Sequence, residues 1–177
     1  MCRYGFVTYK PHYACFDCRK NYKRKLLSDI SEDENAVSVE AKCPECGQLM
    51  ANMGLDFKAP KKGAIKEWEH IALLFEVGIA FHSCGCSGPG YIPKNATALV
   101  EHLLKQRAWY KQQLCYWKKK QEAARKDNRK FSIVEKVEWE TPIPKGGKNT
   151  TTEAIVYWRT AIDKLNRNIA IVQNSKG

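Results

Sequence analysis

No apolar run in this sequence approaches the roughly eighteen residues that a bilayer-spanning helix needs, and the first ten residues, MCRYGFVTYK, lack the apolar core of a secretory signal. These absences argue against a membrane partner and predict a cytoplasmic protein. Acidic residues are also scarce. Nineteen Asp and Glu face thirty Lys and Arg, a formal charge of +11. Such a chain repels itself and attracts polyanions, with nucleic acid the leading class ahead of acidic membranes or acidic proteins. The 44% hydrophobic content over 177 residues is enough for real cores, which excludes a disordered tail.

The scarcities are uneven along the chain. Residues 1–95 carry thirteen basic and eleven acidic side chains, residues 96–177 seventeen and eight, and of the eight cysteines only Cys115 lies in the second part. With the turn-forming SGPGYIPKN between them, a boundary near Pro93 follows. Residues 1–93 are read as a metal-bearing module and residues 94–177 as basic helices.

What is present in the first module is a doubled C-x-x-C. CFDC at 15–18 is answered by CPEC at 43–46. Each such turn aims two thiolates from one chain reversal at a single ion, and two turns supply the four sulfurs that tetrahedral zinc takes at about 2.3 Å. Cys15, Cys18, Cys43 and Cys46 are therefore the expected ligands of one structural Zn2+. Four sulfurs leave no position for water, so the ion should stabilise folding and not catalyse. The 24 residues between the pairs are enough for the strand, turn and returning strand of a zinc ribbon. Pro44 constrains the second turn and Gly47 leaves its backbone room. A redox pair would open a helix in a βαβ pattern, a context neither pair has.

His82, Cys84 and Cys86 in HSCGC are dense in soft ligands, yet C-x-C is an awkward bite for one ion. A second zinc there would need a fourth donor such as Cys2, His12 or His70. The preferred reading is a glycine-rich loop with packed thiols and a hydrogen-bonded histidine. A catalytic thiol needs a group to orient His82, and no Asp or Asn is evidently placed to do so. The chain is accordingly not expected to be an enzyme or to take a small-molecule substrate.

RYGFVTY and AVSVEAK have strand composition and lead toward the two cysteine pairs, while RKNYKRK and SDISEDEN between them read as a solvated connection. The segment from Gly47 to Gly63 reads as extended or irregular. A helix over 64–77 places Trp68, Ile71, Ala72 and Phe75 on one face and ends at Gly78; IAFHSCGCSGPGYIP returns as a short strand and tight loop. Beyond Pro93, NATALVEHLLKQRAWYKQQLCYWKKKQEAARKDNRK is free of Gly and Pro, about 45 Å of helix. Leu99, Leu103, Tyr110, Leu114, Trp117, Gln121 and Ala124 mark its buried seam, interrupted at Gln106. FSIVEKVEWETPIPKGGK is an extended return. Thr150 and Glu153 then form a capping box for a last helix with a seam of Ile155, Trp158, Ile162, Leu165, Ile169 and Val172. The two seams can close on each other, the preferred reading, or be completed by a partner. The expected fold class is α+β, a small zinc ribbon with a short helix followed by a long antiparallel helical hairpin.

Residues 96–130 hold ten basic and three acidic groups, whereas a merely soluble helix intersperses both signs. Lys105, Arg107, Lys111, Lys118, Lys119, Lys120, Arg125, Lys126, Arg129 and Lys130 recur beside Trp109, Tyr110, Tyr116 and Trp117, so cations could meet phosphates while exposed rings stack on bases. The first module adds Arg19, Lys20, Lys23, Arg24 and Lys25, and Lys58, Lys61 and Lys62, held near the metal turns. A stiff basic surface loses little ordering entropy on binding and suits a folded RNA. No RNA-recognition sheet or KH loop is present, so base-specific readout is not expected.

CFDC, KCPECGQLMANMGLDFKAPKK and FHSCGCSGPGYIP resemble a group of zinc-ribbon proteins of Bacteroidetes-type bacteria, over about residues 13–93. The chain is also similar to a lineage-restricted extra protein of the large ribosomal subunit in those bacteria. That resemblance implies rRNA contact inside a ribosomal particle, neighbouring ribosomal proteins, a structural zinc on the four cysteines named above and no catalysis. The C-terminal helices match no family motif. The competing expectations are a DNA-binding or transcription-associated zinc ribbon and an RNA-processing enzyme centred on His82, Cys84 and Cys86.

Overall fold

A computed structural model describes residues 10–25, 40–83, 88–126 and 151–175. The chain divides into two compact units, Met1–Ala96 and Thr97–Gly177. The architecture is α+β, with a three-stranded antiparallel sheet and helices.

In the first unit, β1 (His12–Cys15) is the central strand, flanked by β2 (Lys20–Lys23) and β3 (Ala51–Gly54) in the order β2-β1-β3. β1 and β2 form a hairpin in register from His12 opposite Lys23 to Cys15 opposite Lys20, so the first cysteine turn is the hairpin's own loop. β3 pairs Asn52 with Tyr13 and Ala51 with Ala14, with an irregularity between His12 and Tyr13. β2 corrects the expectation that RKNYKRK is only a solvated connection. Its charged residues suit an edge strand, where lysines discourage pairing with other chains. Of the two expected strands, RYGFVTY lies outside the described residues, as do residues 36–39 of AVSVEAK. The remainder contributes one bridge, Lys42 opposite Leu49.

At Gly54, where β3 ends, a side chain does not fit. A Cβ would stand 2.5 Å from the Phe81 carbonyl oxygen, and φ is +90°. That close approach lets Phe81 pair with β3's end, its N–H donating to the Met53 carbonyl and its own carbonyl accepting from Asp56. The short strand expected within IAFHSCGCSGPGYIP is thus reduced, among the described residues, to this backbone pairing. α1 (Ile65–Glu76) stops at Val77 and Gly78, the latter with φ +86°. It buries Trp68, Ile71 and Leu74. Leu74, not Phe75, completes the inner face; Phe75 is 39% exposed and lies 6.0 Å from the Phe16 ring. Trp68 and Ile71 join Ala14, Ala51, Met53 and Phe57 in one core, with Phe16 and Phe81 packed against it. The indole N–H of Trp68 donates to the Lys61 carbonyl at 3.2 Å, which fixes the turn ahead of the helix.

In the second unit, α2 (Ala96–Lys126) and α3 (Thr151–Asn174) carry the apolar seams. All six expected seam residues of α3 are buried, together with Thr151, Ala154 and Asn168. On α2, Leu99, Leu103 and Trp117 are buried. Tyr110 and Leu114 pack partly buried against a cluster of Trp117, Ala154, Ile155 and Trp158. Arg107 donates to the Asn166 side-chain oxygen and Gln121 to the Thr152 hydroxyl, each at 3.1 Å. Residue number therefore rises along one helix as it falls along the other. The expected return segment and Thr150 lie outside the described residues.

Candidate metal centre

The two cysteine turns are built alike. In the first, Cys15 ends β1, Cys18 follows at the next bend, and Arg19 closes the turn in the left-handed region at φ +51°. In the second, Cys43 donates its N–H to the Gln48 carbonyl and accepts the Gly47 N–H on its own carbonyl, and Gly47 closes the turn at φ +74°. The residue after the second cysteine takes the same rare conformation in both. Glycine does so freely. Arginine is strained there by about 1–3 kcal/mol, and its Nε donates to the Lys62 carbonyl at 3.1 Å, which helps to hold it.

The sheet brings these turns together. The sulfurs of Cys15, Cys18, Cys43 and Cys46 all lie within 4.8 Å of one another. Cys15 Sγ is 3.5 Å from Cys46 Sγ, and Cys18 Sγ is 3.9 Å from Cys43 Sγ. A tetrahedron with metal–sulfur bonds of about 2.3 Å has edges of about 3.8 Å. The four residues therefore fit a tetrathiolate metal ion and could hold one. Among the described residues this is the one such group of His, Cys, Asp and Glu.

The thiols do not titrate alike. Backbone N–H groups of Cys46 and Glu45 aimed at its sulfur hold Cys43 down at about 6, against the opposing effect of burial. Burial pushes Cys15 up, and Cys18 is raised by its hydrogen bond with Cys46 and then by burial. Protons on such a cluster are what a metal ion displaces. Lys20 pairs with Glu45, which raises the lysine and lowers the glutamate. Burial and then the Glu45 charge push the neighbouring Tyr22 up to about 12.

The basic residues fall into different surroundings. Arg19, Lys20 and Lys62 are gathered at the cysteine turns, the last close enough to act on Glu45. Arg24 lies over the Tyr13 ring at 5.8 Å. Lys23, Lys25, Lys58, Lys61 and Lys62 are exposed. On α2, Lys105, Lys111, Lys118 and Lys119 are exposed, Arg107 is half-buried with its bond to Asn166, and Lys120 folds over the Trp117 ring at 5.2 Å. Arg125 and Lys126 lie in its last turn, while Arg129 and Lys130 are outside the described residues. Of the four rings expected beside these cations, Tyr116 alone is exposed, at 54%; Trp117 is buried and Trp109 and Tyr110 pack on Trp158. Sequence periodicity could have separated Tyr116 from its neighbours, but the Arg19–Lys62 link spans 43 positions and leaves no local signal.

Cys84 and Cys86 lie outside the described residues. His82 is exposed, and the adjacent Ser83 donates to Asp56. His70 Nε2 lies 2.8 Å from the Pro93 carbonyl, a bond it makes as donor, and His12 Nδ1 meets the Asn21 amide at 2.7 Å. Of the three candidate fourth donors, His12 and His70 thus each have a ring nitrogen engaged elsewhere, and Cys2 lies outside the described residues. No helix among the described residues is long and apolar enough to cross a membrane. Compared with protein-family models, curated proteins and solved structures, the chain matches none.

Proposed function

We propose that this chain is a zinc-ribbon protein that binds folded rRNA in the cytoplasm, as a ribosomal protein or a stable ribosome-associated factor without catalysis. In this reading Cys15, Cys18, Cys43 and Cys46 hold one zinc, and α2 and α3 close into an antiparallel hairpin through residues 127–150. The observation that carries it is the sulfur cluster, whose spacings suit a tetrahedral ion, with Arg19, Lys20 and Lys62 at its turns. Bound zinc supplies a fixed cross-link between the two turns.

The chain's own residues supply the rest. Four thiolates outweigh a divalent ion, so the centre is anionic, and Lys20, Arg19 and Lys62 offset that charge while presenting a fixed basic rim. Lys105, Lys111, Lys118 and Lys119 on the outer side of α2 are free of the core and suited to phosphates. With one exposed ring among the four, α2 is better matched to a phosphate backbone than to splayed bases.

Two measurements test this. Purified protein should carry zinc at one ion per chain by elemental analysis, and a lysate run on sucrose gradients should show it migrating with ribosomal particles at moderate and high salt. Replacing Lys118 and Lys119 by Glu should weaken that association and flatten its salt dependence by about one unit of slope per lost phosphate contact. A slow-sedimenting pool at every salt concentration, with tight binding to duplex DNA, would instead establish a DNA-binding zinc ribbon.

A further inference from the structure

The four cysteines are unequally exposed. Cys15 and Cys43 are 1% and 3% exposed and Cys18 is half-buried, whereas Cys46 is exposed. The close sulfur contacts run between the turns, and the Cys15–Cys46 pair, at 3.5 Å, is tighter than the Cys18–Cys43 pair at 3.9 Å. We propose that Cys46 is an oxidant-reactive thiolate with Cys15 as its resolving partner, so that a hydroperoxide converts the centre into a Cys15–Cys46 disulfide and frees the ion. This rests on the metal-binding reading of the cluster.

Cysteine oxidation follows thiolate character and access. Metal ligation keeps the sulfurs deprotonated, so among the four access decides, and it favours Cys46. The Cys46 thiolate attacks one oxygen of the hydroperoxide; an S–O bond forms, the O–O bond breaks, and the other oxygen leaves as hydroxide or alkoxide. The Cys15 thiolate then attacks the Cys46 sulfur. An S–S bond forms, the S–O bond breaks, and hydroxide leaves. Two electrons pass from the two sulfurs to the peroxide, and solvent protonates both departing anions. Cys18 and Cys43 alone then remain as ligands, too few for a closed tetrahedral site. The new bond joins the same two turns, so the ion is lost without parting them, and a dithiol reductant reverses the change.

The test uses full-length Cys115→Ser protein, which removes the exposed thiol of α2, with its zinc content measured first. Hydrogen peroxide is added while zinc release is followed with a chromogenic chelator. Non-reducing digestion then cleaves at Asp17 and Glu45, which separate the two cysteines of each turn. The expected result is loss of one zinc per disulfide formed, Cys15–Cys46 as the major cross-linked peptide, and recovery of zinc binding after dithiothreitol. Cys18–Cys43 forming first, zinc loss without any disulfide, or Cys46 passing to sulfinic acid would each overturn the proposal. A protein that carries no zinc and takes none up overturns the metal reading instead, before any peroxide is added.

Discussion

In the unit ending at Ala96, three strands of four residues and a helix of twelve surround Ala14, Ala51, Met53, Phe57, Trp68 and Ile71. In the unit beginning at Thr97, the 24-residue α3 alone buries nine side chains. Strands this short cannot enclose enough apolar area to offset the entropy of ordering their turns, and small scaffolds of that kind need a cross-link. The sulfur cluster sits where one would act, between the loop of the β1–β2 hairpin and the turn ahead of β3. α2 and α3 need none, since a seam repeating every three and four residues buries area in proportion to helix length. The comparison teaches that periodicity meets this deficit in one region, while in the other a metal cross-link on the four cysteines would meet it, as proposed.

On the proposed reading, the most forceful way to break that contrast is to remove the ion. Structural zinc contributes about 10–16 kcal/mol in zinc-finger peptides, as much as the entire stability of a typical domain at about 5–15 kcal/mol. Chelation, or Cys43→Ser, should therefore abolish the tertiary fold of the first unit while the helical signal of α2 and α3 persists. Two-dimensional amide NMR checks this directly: resonances from β1, β2, β3 and α1 should collapse and those of α2 and α3 should stay. Collapse of both sets would show that the two units depend on a common core.

The reciprocal perturbation is smaller and strikes the other unit. Trp158 is 1% exposed and touches Trp109, Tyr110 and Tyr157. Trp158→Ala should cost about 3–5 kcal/mol, read as a fall in the thermal midpoint of the helical signal with zinc content unchanged. Its indole N–H is buried and meets no acceptor among the described residues. An unpaired buried donor costs about 1–3 kcal/mol, so Trp158→Phe, which removes the donor and keeps a ring, should lose less than half as much as the alanine variant.

The same contrast explains what could be read in the sequence. The six expected residues of the α3 seam were legible because burial there follows helical period, though Thr151, Ala154 and Asn168 were not, and the four-cysteine cluster was legible because C-x-x-C is a local geometric device. Leu74 against Phe75 was not, since neighbours on a helix differ by about 100°, and the Phe16 ring that meets Phe75 comes from the first cysteine turn. β2 was obscured by Lys20 and Lys23, which on charge alone look like loop. The Arg19 bond to Lys62 and the Gly54 contact with Phe81 join positions far apart in the chain, and no local pattern encodes them. Of the α2 rings, Tyr116 and Trp117 take opposite roles, which helical period could have separated, whereas Trp109 and Tyr110 both pack on Trp158, a contact made only once α3 is in place.

The gentlest test follows one titrating residue in each unit. Burial first, and then the Lys23 charge, lowers the His12 pKa below its ordinary 6.5 despite the Asn21 bond. The folded first unit thus binds the His12 proton less readily than the unfolded chain. This contribution is present above about pH 6.5 and is lost as pH falls through the lower folded value. Tyr110 behaves oppositely: burial raises it above its ordinary 10.0, so its contribution is present below about pH 10 and is lost as pH rises through the folded value. Acid should therefore weaken the first unit through His12, and alkali the second through Tyr110, while the raised Tyr22 gives the first unit an alkaline loss of its own. Thiolate protonation also weakens the first unit in acid, so the His12 share is isolated by His12→Gln, which should reduce but not abolish the acid slope. Tyr110→Phe should flatten the alkaline loss in α2 and α3, as followed by helical ellipticity during denaturant titrations at pH 9 to 11. An alkaline slope identical in the Phe variant would show that Tyr110 titrates there as it does in the unfolded chain.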